Sequence, residues 1–167
     1  MDIDDPERYF FEQAVQRLNQ LYSLCIKILN NSIEILNNTS NYERFSKLVA
    51  RLVGEVLFSL KTIEKAVKYA KKHRNVNKCS LSRMMNLLKA TAMYGSQEYP
   101  PIVVYCDLME YITRLAYELE PALPDDLRPQ IGWADNAYKV FSSPQLQECM
   151  KCILLEQCEH EEGDESV

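Results

Sequence analysis

Apolar residues recur every third or fourth position through almost the whole chain, a spacing that suits a helix and little else. Phe11, Val15, Leu18, Tyr22, Cys25, Leu29, Ile33 and Leu36 form one such series, and Phe45, Leu48, Leu52, Val56, Leu60, Ile63, Val67 and Ala70 form a second. A helix turns once in about 3.6 residues, so each series lines one side of a rod and predicts an amphipathic helix. Asp5 before Pro6 supplies an N-cap and the one helical position that tolerates proline, and the first rod extends to about Asn37. Asn37-Asn38-Thr39 interrupts it, and Ser40 with Glu43 forms a capping box for the second rod, which runs to about Lys72. Two long rods joined by so short a break pair antiparallel.

The polar stretch Lys71 to Lys78 is the clearest internal break. A third helix is predicted from about Ser80 to Tyr94, with Leu81, Met84, Leu88 and Ala92 inward and Gly95 as its C-terminal stop. Pro100-Pro101 opens a fourth, Pro101 to Leu119, through Val104, Cys106, Leu108, Ile112, Leu115 and Leu119. Ile102 to Tyr105 alone resembles a buried strand, but the helical period continues to Leu119 and no second strand exists to pair with it. Glu120 to Gly132 carries three prolines and reads as an ordered loop packed on the surface. Trp133 to Phe141 forms a short helix, and Ser143-Pro144 caps another that runs to about Cys158. Four glycines in 167 residues leave little for the turns of a β-rich fold. The expected architecture is all-α: a bundle of about six helices built on a long antiparallel helical hairpin. Residues 1–158 form a single domain, and 159–167 a disordered acidic tail.

Charge is segregated along this pattern. Arg8 to Gln97 holds fifteen Lys/Arg against five Asp/Glu, and Glu98 to Val167 holds four against fifteen. Such a split points to a charged partner or to two halves that fold on each other. Lys61, Lys65, Lys68 and Lys72 fall within about 60° on a helical wheel, opposite Ile63, Val67 and Ala70. Lys71, Arg74 and Lys78 extend this basic stripe past the helix end.

Catalytic signals are scarce. The two histidines, His73 and His160, lie in polar contexts, and the isolated glycines provide no phosphate-binding loop. Cys149 and Cys152, with Cys158 and His160 beyond, could close a tetrahedral zinc site only if a rigid helix unwound, so no metal is expected. Asp107 and Glu110 stand one helical turn apart, the spacing by which carboxylates hold Mg²⁺. Arg114 is four residues after Glu110, however, and accounts for it as a surface ion pair. No catalytic residue and no cofactor is assigned. No apolar run approaches the roughly 20 residues of a membrane span, and the chain opens with acids rather than a leader pattern. The expected setting is therefore intracellular, cytoplasmic or nuclear, with reduced cysteines.

Long amphipathic helices with segregated charge and little chemistry indicate a non-enzymatic protein–protein interaction module, an adaptor or a subunit of a multi-protein assembly. The expected partner is a helix or peptide in a groove lined by Leu52, Val56, Phe58 and Met109, with Lys61, Lys65, Lys68 and Lys72 steering an acidic segment. Homo-oligomerisation stays open. Two alternatives come from other classes: a nucleic-acid-binding helical module using the basic stripe, and a small all-helical metal-dependent hydrolase.

Overall fold

Asp5 opens the first helix as its sequence predicts: the Glu7 amide donates to Asp5 Oδ1 at 3.0 Å, and Pro6 occupies the first helical position. The computed structural model describes residues 5–35 and 42–141, together with Pro144. Among these residues lie five helices of eight residues or more and no strand: α1 (Pro6–Ile35), α2 (Tyr42–Ala70), α3 (Lys78–Ala90), α4 (Pro101–Leu119) and α5 (Ala134–Phe141). The capping box at Ser40, the last predicted helix apart from Pro144, and the acidic tail fall outside the described residues. No helix among them is long and apolar enough to cross a membrane.

α1 and α2 run antiparallel, as three pairings demonstrate. Glu7 meets His73, Phe10 stacks on Tyr69, and Arg17 reaches Glu55, so residue numbers rise on one rod as they fall on the other. The seam is apolar, with Phe11, Val15, Leu18, Cys25 and Ile28 facing Phe45, Leu52, Val56, Ile63 and Val67 across the core. Where polar groups enter, they are satisfied. Arg17 Nε donates to the buried Ser59 hydroxyl at 2.7 Å, which in turn donates to the Glu55 carbonyl at 2.7 Å.

α4 is the hub of the fold. Ile102, Val104, Tyr105, Cys106, Leu108, Met109, Ile112, Thr113, Leu115, Ala116 and Leu119 are all buried, a set that wraps most of the helix because α1, α2, α3 and α5 all pack on it. The continuous apolar run that could pass for a strand is the signature of this all-round burial. The Tyr105 hydroxyl donates to the Cys25 carbonyl of α1 at 2.8 Å, tying hub to hairpin. Thr113 returns its hydroxyl to the Met109 carbonyl at 2.9 Å.

Gly95 does not stop the third helix. Asn77 caps its start by accepting from the Ser80 amide at 3.0 Å, and the chain stays helical beyond Ala90 through a wide π turn, Thr91–Gly95, and a further turn, Ser96–Glu98. Gly95 has right-handed helical angles (φ −58°, ψ −40°), and a Cβ there would lie 3.3 Å from Thr91 Cγ2 and 3.5 Å from Val104 Cγ2. The first contact is tight and lies within the same turn, and the second is ordinary van der Waals contact with α4. The helix ends instead at Tyr99, extended ahead of Pro100. The proline-rich connection after α4 holds two short 3₁₀ turns, Glu120–Ala122 and Arg128–Ile131, and buries Ala122, Leu123, Leu127 and Ile131.

Candidate interaction surface

The outer face of α2 is one continuous strip with two chemistries. Stepping about 100° per residue, Ala50, Gly54, Leu57, Phe58, Lys61, Lys65 and Lys68 share the side turned away from the core, and Lys72 follows in the turn after Ala70. All eight are exposed. The first half is apolar: Phe58 is 77 % exposed and Leu57 43 %, while Gly54 has open space where a Cβ would stand. The second half is basic. Among the described residues none of its four lysines pairs with a carboxylate, since Glu64 beside them is taken by Lys89 at 3.4 Å and Glu55 by Arg17 at 2.9 Å.

Sequence reasoning missed the aromatic margin of this strip. Phe10 stacks on Tyr69 with ring centroids 5.6 Å apart, and Tyr9 meets Phe10 edge-on at 5.3 Å. Lys65 Nζ lies 4.9 Å from the Phe10 centroid and Lys72 Nζ 5.0 Å from that of Tyr69, geometry that holds the ammonium groups in place while leaving them accessible. The signal was the run Tyr9-Phe10-Phe11, of which only Phe11 can face the core. Its relation to the lysines depends on the register between α1 and α2.

The groove residues divide. Leu52, Val56 and Met109 are fully buried, so they do not line an open groove. Leu52 and Val56 belong to the core stripe of α2, and α4, bearing Met109, fills the space that a partner helix was expected to take. Phe58, Lys61, Lys65, Lys68 and Lys72 remain at the surface. Arg17 sits over the Phe58 ring at 4.8 Å, fixing that side chain at the edge of the hairpin seam. The seam itself opens there into a cleft of about 450 Å³ lined by Asn19, Gln20, Ser23, Leu24, Lys27, Arg51 and Glu55.

The residues considered for chemistry are dispersed. His73 is held by Glu7 at the end of the hairpin. Asp107 and Glu110 are half-buried on α4, where burial first, and then these two charges, push the Tyr111 hydroxyl above its ordinary pKa. Arg114 lies over the Tyr138 ring at 5.9 Å rather than pairing with Glu110. Glu118 accepts from Ser80 Oγ at 2.9 Å and fastens the start of α3 to α4. Among the described residues no three His, Cys, Asp or Glu side chains converge as a metal site would need. Cys149, Cys152, Cys158 and His160 lie outside the described residues.

The chain matches no protein-family model, no curated protein and no solved structure.

Proposed function

We propose that this protein is a non-catalytic interaction module that docks an amphipathic segment, apolar at one end and acidic at the other, along the outer face of α2. It acts inside the cell, where buried thiols such as Cys25 and Cys106 stay reduced. The observation that carries the reading is the apolar-to-basic order of one exposed helix face. Leu57 and Phe58 offer a contact that gains from leaving water, and four lysines without carboxylate partners among the described residues steer an acidic approach within a Debye length of about 8 Å. An extended stripe of this kind suits a helix or peptide better than a small molecule.

The test compares wild type with K61E/K65E/K68E/K72E and with L57S/F58S. All six positions are exposed, so both variants should fold. The expected result is that a partner recovered from native cell extract with wild type is lost with either variant. With the purified partner, charge reversal should slow association about tenfold or more and flatten its salt dependence. Equal recovery and equal rates with all three proteins would reject the reading.

A second reading, single-stranded nucleic acid on the same stripe, draws on the Phe10 and Tyr69 rings beside Lys65 and Lys72. Those two rings already stack on each other, which leaves less ring surface for bases, and the apolar half of the strip has no role in it. Salt-dependent binding of a generic oligonucleotide that is indifferent to L57S/F58S would favour it.

A further inference from the structure

The cleft where the α1–α2 seam opens is lined by hydrogen-bond donors with hardly an acceptor left over. α1 contributes Asn19, Gln20, Ser23 and Lys27, and α2 contributes Arg51 and Glu55, around a volume of about 450 Å³. Both amides are oriented by groups that can only donate. The Trp133 indole donates to Asn19 Oδ1 at 2.6 Å, and the Arg17 guanidinium donates to Gln20 Oε1. With each side-chain carbonyl engaged, the end left to meet a ligand is the NH₂ group. Glu55 is the one carboxylate of the lining, and Arg17 holds it at 2.9 Å. Neither Lys27 nor Arg51 has a carboxylate partner among the described residues, although Arg51 stands one helical turn before Glu55.

Charge follows the same pattern. The Arg17–Glu55 pair is neutral, which leaves Lys27 and Arg51 as two uncompensated positive charges on opposite rods. A carboxylate would answer only one of them. A phosphate monoester carries about −1.5 to −2 at neutral pH and three strong acceptor oxygens, so it answers both. Its oxygens accept and do not donate, as a lining of two cations and two amide NH₂ groups requires, and the Ser23 hydroxyl can donate as well. Leu24, almost fully buried, gives the carbon side of such an ester an apolar contact.

The cleft is separate from the lysine stripe. None of Lys61, Lys65, Lys68 and Lys72 lines it, and the nearest in sequence, Lys61, stands about 15 Å from Arg51 along α2. That exceeds the Debye length of about 8 Å at physiological salt, so the two sets of charges act largely independently.

We infer that this cleft is a phosphate-monoester site, in which Lys27 and Arg51 clamp the dianion from the two rods while the Asn19 and Gln20 amides donate to its oxygens. The phosphate belongs either to a small molecule or to a phosphorylated side chain of another protein, and the chemistry recognised is the same. The inference goes beyond the interaction-module reading and does not depend on it, since it uses neither the stripe nor Leu57 and Phe58.

An NMR titration of the isotope-labelled full-length chain tests it, because Trp133 is the only tryptophan and its indole N–H is bonded to a residue of the cleft. The probes are glycerol phosphate, a capped Ala-phosphoserine-Ala tripeptide and the same tripeptide with glutamate in place of phosphoserine. Each is added to wild type, to K27Q/R51Q and to K61E/K65E/K68E/K72E. Both phosphate probes should saturably shift the Trp133 indole signal and the side-chain NH₂ signals of Asn19 and Gln20, with dissociation constants at least about tenfold below that of the glutamate tripeptide. K27Q/R51Q, altered at two exposed positions and so still folded, should bind them about tenfold or more weakly, and the stripe variant should stay within about threefold of wild type.

Tighter binding of the phosphoserine tripeptide than of glycerol phosphate would identify a phosphorylated side chain as the source, the reverse a small molecule, and equal affinity recognition of the phosphate group alone. No saturable shift of these signals by either phosphate probe would overturn the inference. Equal affinity for the glutamate tripeptide, undiminished binding by K27Q/R51Q, or loss of binding in the stripe variant alone would each do the same.

Discussion

The Trp133 indole lies flat on the Tyr22 ring, with centroids 3.9 Å apart and planes 2° from parallel, while its Nε1–H donates to Asn19 Oδ1 at 2.6 Å. This one side chain fastens the segment between α4 and α5 onto α1. It combines stacking with a hydrogen bond at a half-buried site, so W133A should lower unfolding free energy by about 2–3 kcal/mol and N19A by about 1 kcal/mol. A Y22A/W133A double-mutant cycle, followed by circular dichroism in denaturant, should give a coupling of about 0.5–1.5 kcal/mol. Additive single-mutant effects would show that the stack contributes nothing of its own.

Gly54 and Gly95 are both helical but should respond differently to alanine. Gly54 is exposed inside α2 with open space around its missing Cβ, so G54A should stabilise the fold by about 0.5–1 kcal/mol through helix propensity. At Gly95 the new methyl would crowd Thr91 Cγ2 at 3.3 Å, offsetting part of that gain. Denaturation midpoints should rank G54A above G95A, and the reverse order would contradict the tight contact between Gly95 and Thr91.

Cys25 predicts a loss of stability in alkali. Burial pushes its thiol up to about 12 in the folded chain, whereas an unfolded thiol ionises near about 8.5. A raised folded pKa contributes stability that is complete below the unfolded pKa and declines as pH rises toward the folded one. From about pH 8.5 upward the unfolded chain binds fewer protons, and unfolding free energy should fall by up to about 1.4 kcal/mol per pH unit from this group. Tyr105, raised by burial and then by the nearby Cys25 and Cys106 thiols, adds its share from about pH 10. C25A should remove the first part of the decline, visible as a flatter stability profile between the two onsets. Site-resolved thiol labelling at neutral pH should modify the exposed Cys79 well before the buried Cys25.

The opposite sign applies to Asp126. Its hydrogen bond with Arg8, where Nη1 donates to Oδ1 at 3.1 Å, holds the carboxyl below the usual aspartate range and raises Arg8 in turn. A depressed pKa contributes stability that is present at neutral pH and lost as pH falls through the carboxylate range. D126N should be the less stable protein at pH 7 and should converge on wild type in acid. Parallel stability profiles for the two proteins would rule out this link between α1 and the proline-rich connection.

The helices were legible because Phe11 to Ile28 and Phe45 to Ala70 repeat one spacing over many turns, and capping signals such as Asp5-Pro6 need no tertiary context. The groove was not. A wheel shows that Leu52 and Val56 share a side but not what covers it, and the covering helix arrives more than forty residues later in the chain. Phe58 and the four lysines were readable as outward because they oppose Ile63, Val67 and Ala70. The aromatic margin at Phe10 and Tyr69 was hidden for the reason the groove was, since it depends on how two rods align. Gly95 misled because a glycine after an apolar series so often ends a helix with a left-handed residue, whereas here it keeps right-handed helical angles inside the π turn.

The central position of α4 bears on how the protein comes off the ribosome. The apolar sides of α1 and α2 are complete once Ala70 has been made, yet the helix that covers them is finished only at Leu119. At roughly 5–20 residues per second, those forty-nine residues take about 2–10 s, during which the nascent hairpin keeps a wide oily stripe open to water. Synthesis therefore passes through a stage suited to chaperone capture, and a pause placed between Ala70 and Pro101 would lengthen it.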